Sequence, residues 1–530
     1  PPLYLESPNP SRYRGAPRIG GVDLQSGEFS SATVDLSVEG RHQDLIFERA
    51  YYSRAEFVGS LGPGWDFNWN ARIVEFPRTV APPSYRIPKV LKGGDECEEI
   101  RVTDALYIDG VGNTHVFREI SDDNENTGLE PLYSSDPAIE EFLGSSGADK
   151  VAMYYESPAG VFTILLRLTD GSYMLVQPNG ARSHFQPDGR LDRIVGVAQE
   201  SVLQCRYRAD GLLDEVEGDR GAVLQFGYYY PFLSVRRQGI DPPDENRAIS
   251  GRLGRLRVSG GLISSLEVDF KYDDKGRLET VEYNSGKDLV YGYGSDPEKP
   301  NLLESIESEG GSGIPKQTIS YDGDMIKTTK IGSRTLAFSG ATYSLRERID
   351  AGDNQEVSAA VMGSGGGEGS GVTYTLDANG SVSNFAGQDY EFREDMLPAS
   401  FQSDSEDIVM TYDDGNAVHR FRGNVIKTER KAGDSSFVTE TSYDASAFNR
   451  VDTVTDINGI ETQYAYNGDD ITVTKGPSVA TLTRNEYHQQ TSQKLDDQVG
   501  SFITSFEFLG AGPATDLQTG EASALKQTMS

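Results

Sequence analysis

Cysteine is nearly absent from this 530-residue sequence: Cys97 and Cys205 are the only two. That excludes a disulfide framework and leaves either one bridge between them or two buried thiols. Histidine is scarce as well. His42, His115, His184, His419 and His488 are scattered, with no H-E-x-x-H and no close pair, so each reads as a surface or turn residue rather than a metal ligand. No apolar run approaches the ~18 residues that cross a bilayer as a helix. The richest, Val161-Phe162-Thr163-Ile164-Leu165-Leu166, is strand-sized, so membrane insertion is not expected. Basic residues are outnumbered, 49 Lys and Arg against 82 Asp and Glu, for a formal charge of −33. Such a surface repels phosphate backbones and anionic bilayers, which excludes nucleic acid as a partner. The chain begins Pro1-Pro2-Leu3-Tyr4, with neither an initiator Met nor a signal peptide, and reads as a processed or excerpted chain.

Catalytic signatures are missing too. There is no G-x-S-x-G elbow, no Walker A motif and no motif around either cysteine, so no catalytic residues are expected and the chain reads as a non-enzyme. No carboxylate pair stands out among the acidic residues as a glycosidase would require. Asp122, Asn124 and Asn126 alternate like the start of an EF-hand loop. Thr127, however, stands where the sixth-position glycine is needed, ahead of Gly128, and Tyr133 stands where the twelfth-position glutamate is needed. The EF-hand reading fails, and calcium held irregularly by loop carboxylates is left as the one open cofactor, with no ligand assigned. Asn379-Gly380-Ser381 is a glycosylation-type sequon, but Asn-Gly is a strong hairpin signal and the turn reading wins.

What is abundant points to strands and turns. The sequence holds 27 Tyr, 22 Phe and 58 Gly, with 36% hydrophobic and 25% charged residues. Aromatics suit half-buried pleated surfaces, and glycines supply tight turns. The length exceeds one compact core and implies several domains or one elongated repeat body. A repeat is indeed visible. Tyr207 and Tyr228, Tyr272 and Tyr293, and Tyr443 and Tyr464 are each 21 residues apart; Tyr321 and Tyr343, and Tyr390 and Tyr412, are 22 apart. An aromatic followed by Gly at +4 and Leu at +6 occurs at Phe185/Gly189/Leu191, Tyr207/Gly211/Leu213 and Tyr272/Gly276/Leu278. A second phrase, Gly with an aromatic at +5 and Tyr at +7, occurs at Gly221/Phe226/Tyr228, Gly286/Tyr291/Tyr293 and Gly459/Tyr464/Tyr466.

In "YDDKGRL", Asp273 opens a type I turn that Gly276 closes. In "RLETVEY", Leu278, Val281 or Tyr283 fall near one face in imperfect register, and "DLVYGYG" places Leu289, Tyr291 and Tyr293 on one side of a strand. One unit is therefore strand, turn, strand, turn, and consecutive units pair antiparallel into one long twisted sheet. The expected fold class is all-β, a sheet curling into a barrel-like shell or spiral. The one helical candidate is Pro137–Leu143, with Pro near its first turn. The glycine clusters at 309–313 and 363–371 read as loops or linkers.

These phrases resemble the YD repeats of the Rhs family, in "FQPDGRLDRIVG", "YRADGLLDEVEGDRGAVLQFGY", "YDDKGRLETVEYNSGKDLVYGYG" and "YDASAFNRVDTVTDINGIETQYAYNGD". The front of the chain, "VDLQSGEFSSATVDLSVEG" with "LIFERAYYSR" and "GSLGPGWDFNWNARI", is similar to the domain that precedes such repeats in Rhs and wall-associated proteins. The resemblance covers roughly residues 19–475 and is loose between about 300 and 440. It implies a tight turn at Gly62-Pro63-Gly64-Trp65 with the Trp packed inward, and a β-sheet wound into a large hollow shell that encloses a toxin or serves cell-surface adhesion. The sequence departs from toxin-bearing members in lacking a "DPxGR"-type closing segment with the cleavage site and toxin tail beyond it. The expected division is an N-terminal Rhs-associated β domain at 1–120, an acidic insertion at 121–150, the YD-repeat sheet at 151–475, and C-terminal strands and tail at 476–530. The expected role is a non-enzymatic structural shell or scaffold, extracellular or at the cell surface. The alternatives are an adhesin, glycan-binding module or self-assembling filament subunit, and the N-terminal part of a toxin-enclosing cocoon. Expected partners are further copies of itself or cell-surface glycans and proteins.

Overall fold

The computed structural model describes residues 18–23, 27–38, 43–55, 57–80, 100–112, 114–119, 133, 136–144, 150–158, 160–196, 201–218, 221–229, 249–260, 266–294, 296–309, 315–323, 325–331, 334–340, 355–362, 368–376, 382–385, 388–393, 397–446, 449–467, 470–484, 490–496, 501–507 and 526–529. The fold is all-β, as expected. From Arg72–Val80 to Lys526–Met529 each strand pairs antiparallel with the next in one uncrossed succession. Such local pairing follows from hairpin connections, which need no crossover segment.

The hairpin at Asp273 shows why the sequence grammar takes its form. The Gly276 N–H donates to the Asp273 carbonyl (3.0 Å) and the Asp273 N–H to the Arg277 carbonyl (3.0 Å). The Asp273 carboxylate accepts from the N–H groups of Lys275 and Arg277. Gly276 sits at φ +74°, where a side chain would be strained. This is a type I turn followed by a left-handed glycine, which inserts one extra residue into the second strand. The register accordingly shifts, so that Tyr272 faces Leu278 while Lys271 faces Thr280. The bulge explains the imperfect alternation: Leu278 and Val281, three apart, are both fully buried. The +6 spacing is thus a cross-strand pair. Phe185 faces Leu191 and Tyr207 faces Leu213 in the same way.

The 21-residue period has its own cause. The Tyr207 hydroxyl donates to the Leu191 carbonyl (2.7 Å), Tyr228 to Leu213 (2.9 Å), Tyr272 to Leu253 (2.7 Å), Tyr293 to Leu278 (2.9 Å) and Tyr321 to Leu303 (2.8 Å). Each acceptor residue is the cross-strand partner of the preceding aromatic. A second run joins Tyr412 to Pro398, Tyr443 to Val425 and Tyr466 to Val451. Here Phe392, not Tyr390, carries the frame, because Phe392 is the residue opposite Pro398. The arginine before the acceptor covers the next ring: Arg190 lies 4.6 Å from the Tyr207 centroid, Arg277 4.8 Å from Tyr293 and Arg450 4.1 Å from Tyr466.

Connections alternate between two rims. Turns 186–190, 208–212 and 273–277 lie on the first, and 177–181 and 284–288 on the second. Residues 413–424 join Tyr412 to Val425 and fall on the first rim by this alternation. Yet His419 and Arg420 reach Val161, Gln177 and Pro178, on the second rim of strands 242 to 258 residues earlier. The sheet is therefore wound as a spiral, later strands lying beyond earlier ones along its axis. In strand order the succession returns to its first strand, but no residue register joins the last strand to the first among the described residues, whereas every other neighbouring pair has one. The sheet curls without a laddered seam.

Pro137–Leu143 is a helix, as expected, with Pro at its start and the Asp136 side chain capping the Ala138 N–H at 2.9 Å. The glycine cluster at 363–371 is corrected in part: Glu368–Leu376 is a strand, with Gly371 opposite Ala360 and Glu368 opposite Met362. Backbone pairing holds this segment where side chains offered no periodic signal. Asn379-Gly380-Ser381 lies outside the described residues. The EF-hand-like residues Asp122 to Gly128 lie outside them too.

Replacing Tyr293 by Phe removes the donor to Leu278 and the acceptor for Trp65. We expect a loss of about 2 kcal/mol in urea unfolding, against about 1 kcal/mol or less for Tyr466→Phe, which is half-exposed and loses one bond.

Candidate functional site

The N-terminal segment folds inside the first turn of the spiral. Ser30–Val38, Leu45–Tyr52 and Trp65–Phe67 form a three-stranded sheet whose apolar side chains meet the inner face of the long sheet in one core. Phe47 packs against Phe67, Phe226 and Phe270, and Trp65 against Tyr51 and, edge-on at 5.0 Å, Tyr291. The Gly62-Pro63-Gly64-Trp65 turn aims Trp65 inward, leaving it 1% exposed.

Polar groups fix how the two parts dock. The Trp65 indole donates to the Tyr293 hydroxyl (2.9 Å), so a ladder residue is also a docking residue. The Tyr51 hydroxyl donates to the Asn301 carbonyl (2.9 Å) and accepts from the Leu303 N–H (3.0 Å). The Leu253 N–H donates to the Ser60 carbonyl, and the Ile73 N–H to that of Gly189, both at 2.8 Å. A side chain at Gly189 would overlap the Ile73 carbonyl. Residues 59–62 and 72–73 thus lie along the first rim.

At the centre is a buried ion pair. Arg49 grips Asp35 through Nε (2.6 Å) and Nη2 (3.1 Å), both side chains wholly buried, and the guanidinium lies over the rings of Trp65 and Tyr291. Tyr283 donates its hydroxyl to Asp35 from the long sheet. Burial first, and then the Asp35 charge, push the Tyr283 phenol well above its ordinary pKa, so it remains a donor.

A second buried pair joins successive turns. The helix Pro137–Leu143 lies on the outer face of the sheet, where Ile139 packs with Ile164, Leu166, Met174 and Val176. Asp136 at its head receives the Arg420 guanidinium at 2.6 and 2.7 Å, and Arg420 donates further to the Gln177 and Pro178 carbonyls. Tyr133 and Phe162 pack on His419.

The histidines that sequence reading placed at the surface are partly corrected. His184 is buried against Phe142, and His419 is half-buried against Tyr133 and Phe162; His115 stacks on Tyr107. Each sits among aromatics. His42 and His488 lie outside the described residues. Cys205 is a free, buried thiol on the inner face, and burial pushes its pKa up, away from the reactive thiolate. Cys97 lies outside the described residues. Among the described residues no three His, Cys, Asp or Glu side chains gather as metal ligands. The chemistry of these clusters is holding: charges and hydroxyls point at fixed partners within the wall.

Together the fold and these joints define a spiral all-β protein with an N-terminal segment packed against its inner face. Residues 20–80, that segment and the first strand after it, match a family described as Domain of unknown function (DUF6531). No curated protein matches the chain. Among solved structures it is similar, at 11% identity and a TM-score of 0.34, to a Photorhabdus luminescens Tc holotoxin pore carrying a TccC3 mutation, covering 91% of this chain and 31% of that one. It is similar to TcdB2-TccC3 without its hypervariable C-terminal region, at 11% identity and a TM-score of 0.24, covering 96% and 23%. A third, TcdB2-TccC3-TEV, gives 11% and 0.25, covering 91% and 29%. The chain spans less than a third of the length of these structures, and TM-scores this low assign no function.

Asp35→Asn leaves Arg49 charged and buried without a counter-ion. We expect about 3–5 kcal/mol of destabilisation by chemical denaturation, largely recovered when Arg49→Met and Asp35→Leu are combined.

Proposed function

We propose that this chain is a structural wall: a non-enzymatic, Rhs-type YD-repeat shell or scaffold that works outside the cell. The tyrosine ladder carries this reading. In two runs it binds successive two-strand units to one another in a sheet that winds past its own earlier strands, and a sheet so built encloses volume. The N-terminal segment fills the start of that volume. The acidic composition supports a role in a hydrated, soluble surface rather than on nucleic acid or an anionic membrane.

A second reading, the opening part of a toxin-enclosing cocoon, is favoured by the later strands. Glu461–Asn467 and Asp470–Lys475 contain no buried residue, although Tyr464 and Tyr466 continue the aromatic pattern that is buried in the first turn. A wall that continued around a cargo would present such a face to it.

Single-particle electron microscopy of the native material tests both. We expect curved walls bounding a low-density interior, occupied by extra density under the second reading. Solid particles or extended ribbons would overturn the shell.

A further inference from the structure

The segment from Tyr133 to Leu143 touches a histidine near each end. Near its start, Tyr133 meets the His419 ring edge-on at 5.5 Å, and Asp136 holds the neighbouring Arg420. His419 Nε2 lies 3.4 Å from the Val161 carbonyl, a contact in which the imidazole donates. Near its end, Phe142 packs on His184 at 5.3 Å and under Arg182, whose Nη1 donates to the Ala138 carbonyl at 3.3 Å. The segment is a staple. Its helix is pressed on strands of the first turn, and its head grips a loop of the next.

Cationic groups surround both histidines. His184 stands between Arg182 on its own strand and Arg193 directly across the ladder, with Asp192 beside them and Glu141 facing Arg182 from the helix. His419 is flanked by Arg420 and Arg422 on its own loop, with Asp136 the acidic group opposite. An imidazolium at either place would be desolvated and set beside arginine.

We propose that Tyr133, Asp136 and the helix Pro137–Leu143 form an acid-released staple: protonation of His184 and His419 frees it from the sheet and unlocks the joint between successive turns. Burial first, then Arg193 and Arg182, lower the His184 pKa from 6.5 to about 4; burial likewise lowers that of His419, assisted by Arg422 and opposed by the Val161 carbonyl and Asp136. The released state therefore binds more protons than the closed one. Stability of the closed staple is full above pH 6.5 and falls as the pH drops toward 4. His184 alone favours opening by about tenfold at pH 5.5 relative to pH 7.5. The inference concerns the joint and does not rest on the shell reading.

Amide hydrogen exchange of the full chain at pH 7.5 and 5.5, corrected for intrinsic rates, tests it. Peptides over 136–143 and 419–425 should lose about tenfold or more in protection, while 266–293 keeps its own. In the His184→Phe, His419→Gln double variant the difference should vanish. Uniform loss, no loss, or a double variant with the same pH dependence would each overturn the proposal. Should that variant not fold, the wild-type comparison decides alone.

Discussion

A phenol hydroxyl donating to a carbonyl one hairpin away is the contact on which the continuity of this sheet depends. A single such bond is worth about 1 kcal/mol. Its larger effect is on register, because slipping a strand by one residue exchanges its two faces. The acceptor at Leu278 belongs to the residue opposite Tyr272, and the donor is Tyr293. A slip at either hairpin therefore breaks a bond and turns an aromatic out of the core. Arginines such as Arg277 fasten both ends, pairing with the turn aspartate and covering the next ring.

The ladder alone does not make a buried core. Leu253, Leu256, Phe270 and Leu278 are fully buried because the N-terminal strands lie on them, whereas the same face around Tyr464 and Tyr466 remains half-exposed. Of the two wholly buried ion pairs, Arg420–Asp136 joins turns of the long sheet, whereas Arg49–Asp35 joins two neighbouring inner strands and is covered by Tyr283 and Tyr291 of the long sheet. Such pairs add little net stability over apolar packing. What the Arg420–Asp136 pair excludes is misdocking of the turns, since another alignment leaves its charges buried and alone.

The legible part of the fold was the local part. Hairpin chemistry lies within seven consecutive residues, so Asp273 and Gly276 announced a turn, and Pro137 announced a helix start, while the bulge showed only as an imperfect alternation after Leu278. The layering was not legible. Asp136 and Arg420 are 284 residues apart, and Trp65 and Tyr293 are 228 apart, so no spacing ties them. The scattered histidines read as surface or turn residues because no spacing marks a partner for them; His184 departs from that through Phe142 of the helix packed on the outer face of the sheet. The strand at Glu368–Leu376 was hidden for the opposite reason, glycines giving no face to read.

The two-strand unit also sets how the protein is able to change length. Among the described residues the aromatic-to-acceptor connections lie on the first rim, and a rung asks only that its predecessor be present. Adding or deleting one unit of about 21 residues preserves every neighbouring rung, while adding a single strand would exchange the rims and strand the next hydroxyl without an acceptor. A gain or loss of whole units thus gives a longer or shorter sheet still in phase, whereas a gain of half a unit does not. The N-terminal segment and the Arg420 joint constrain that freedom, because each is matched to strands at a fixed count along the wall.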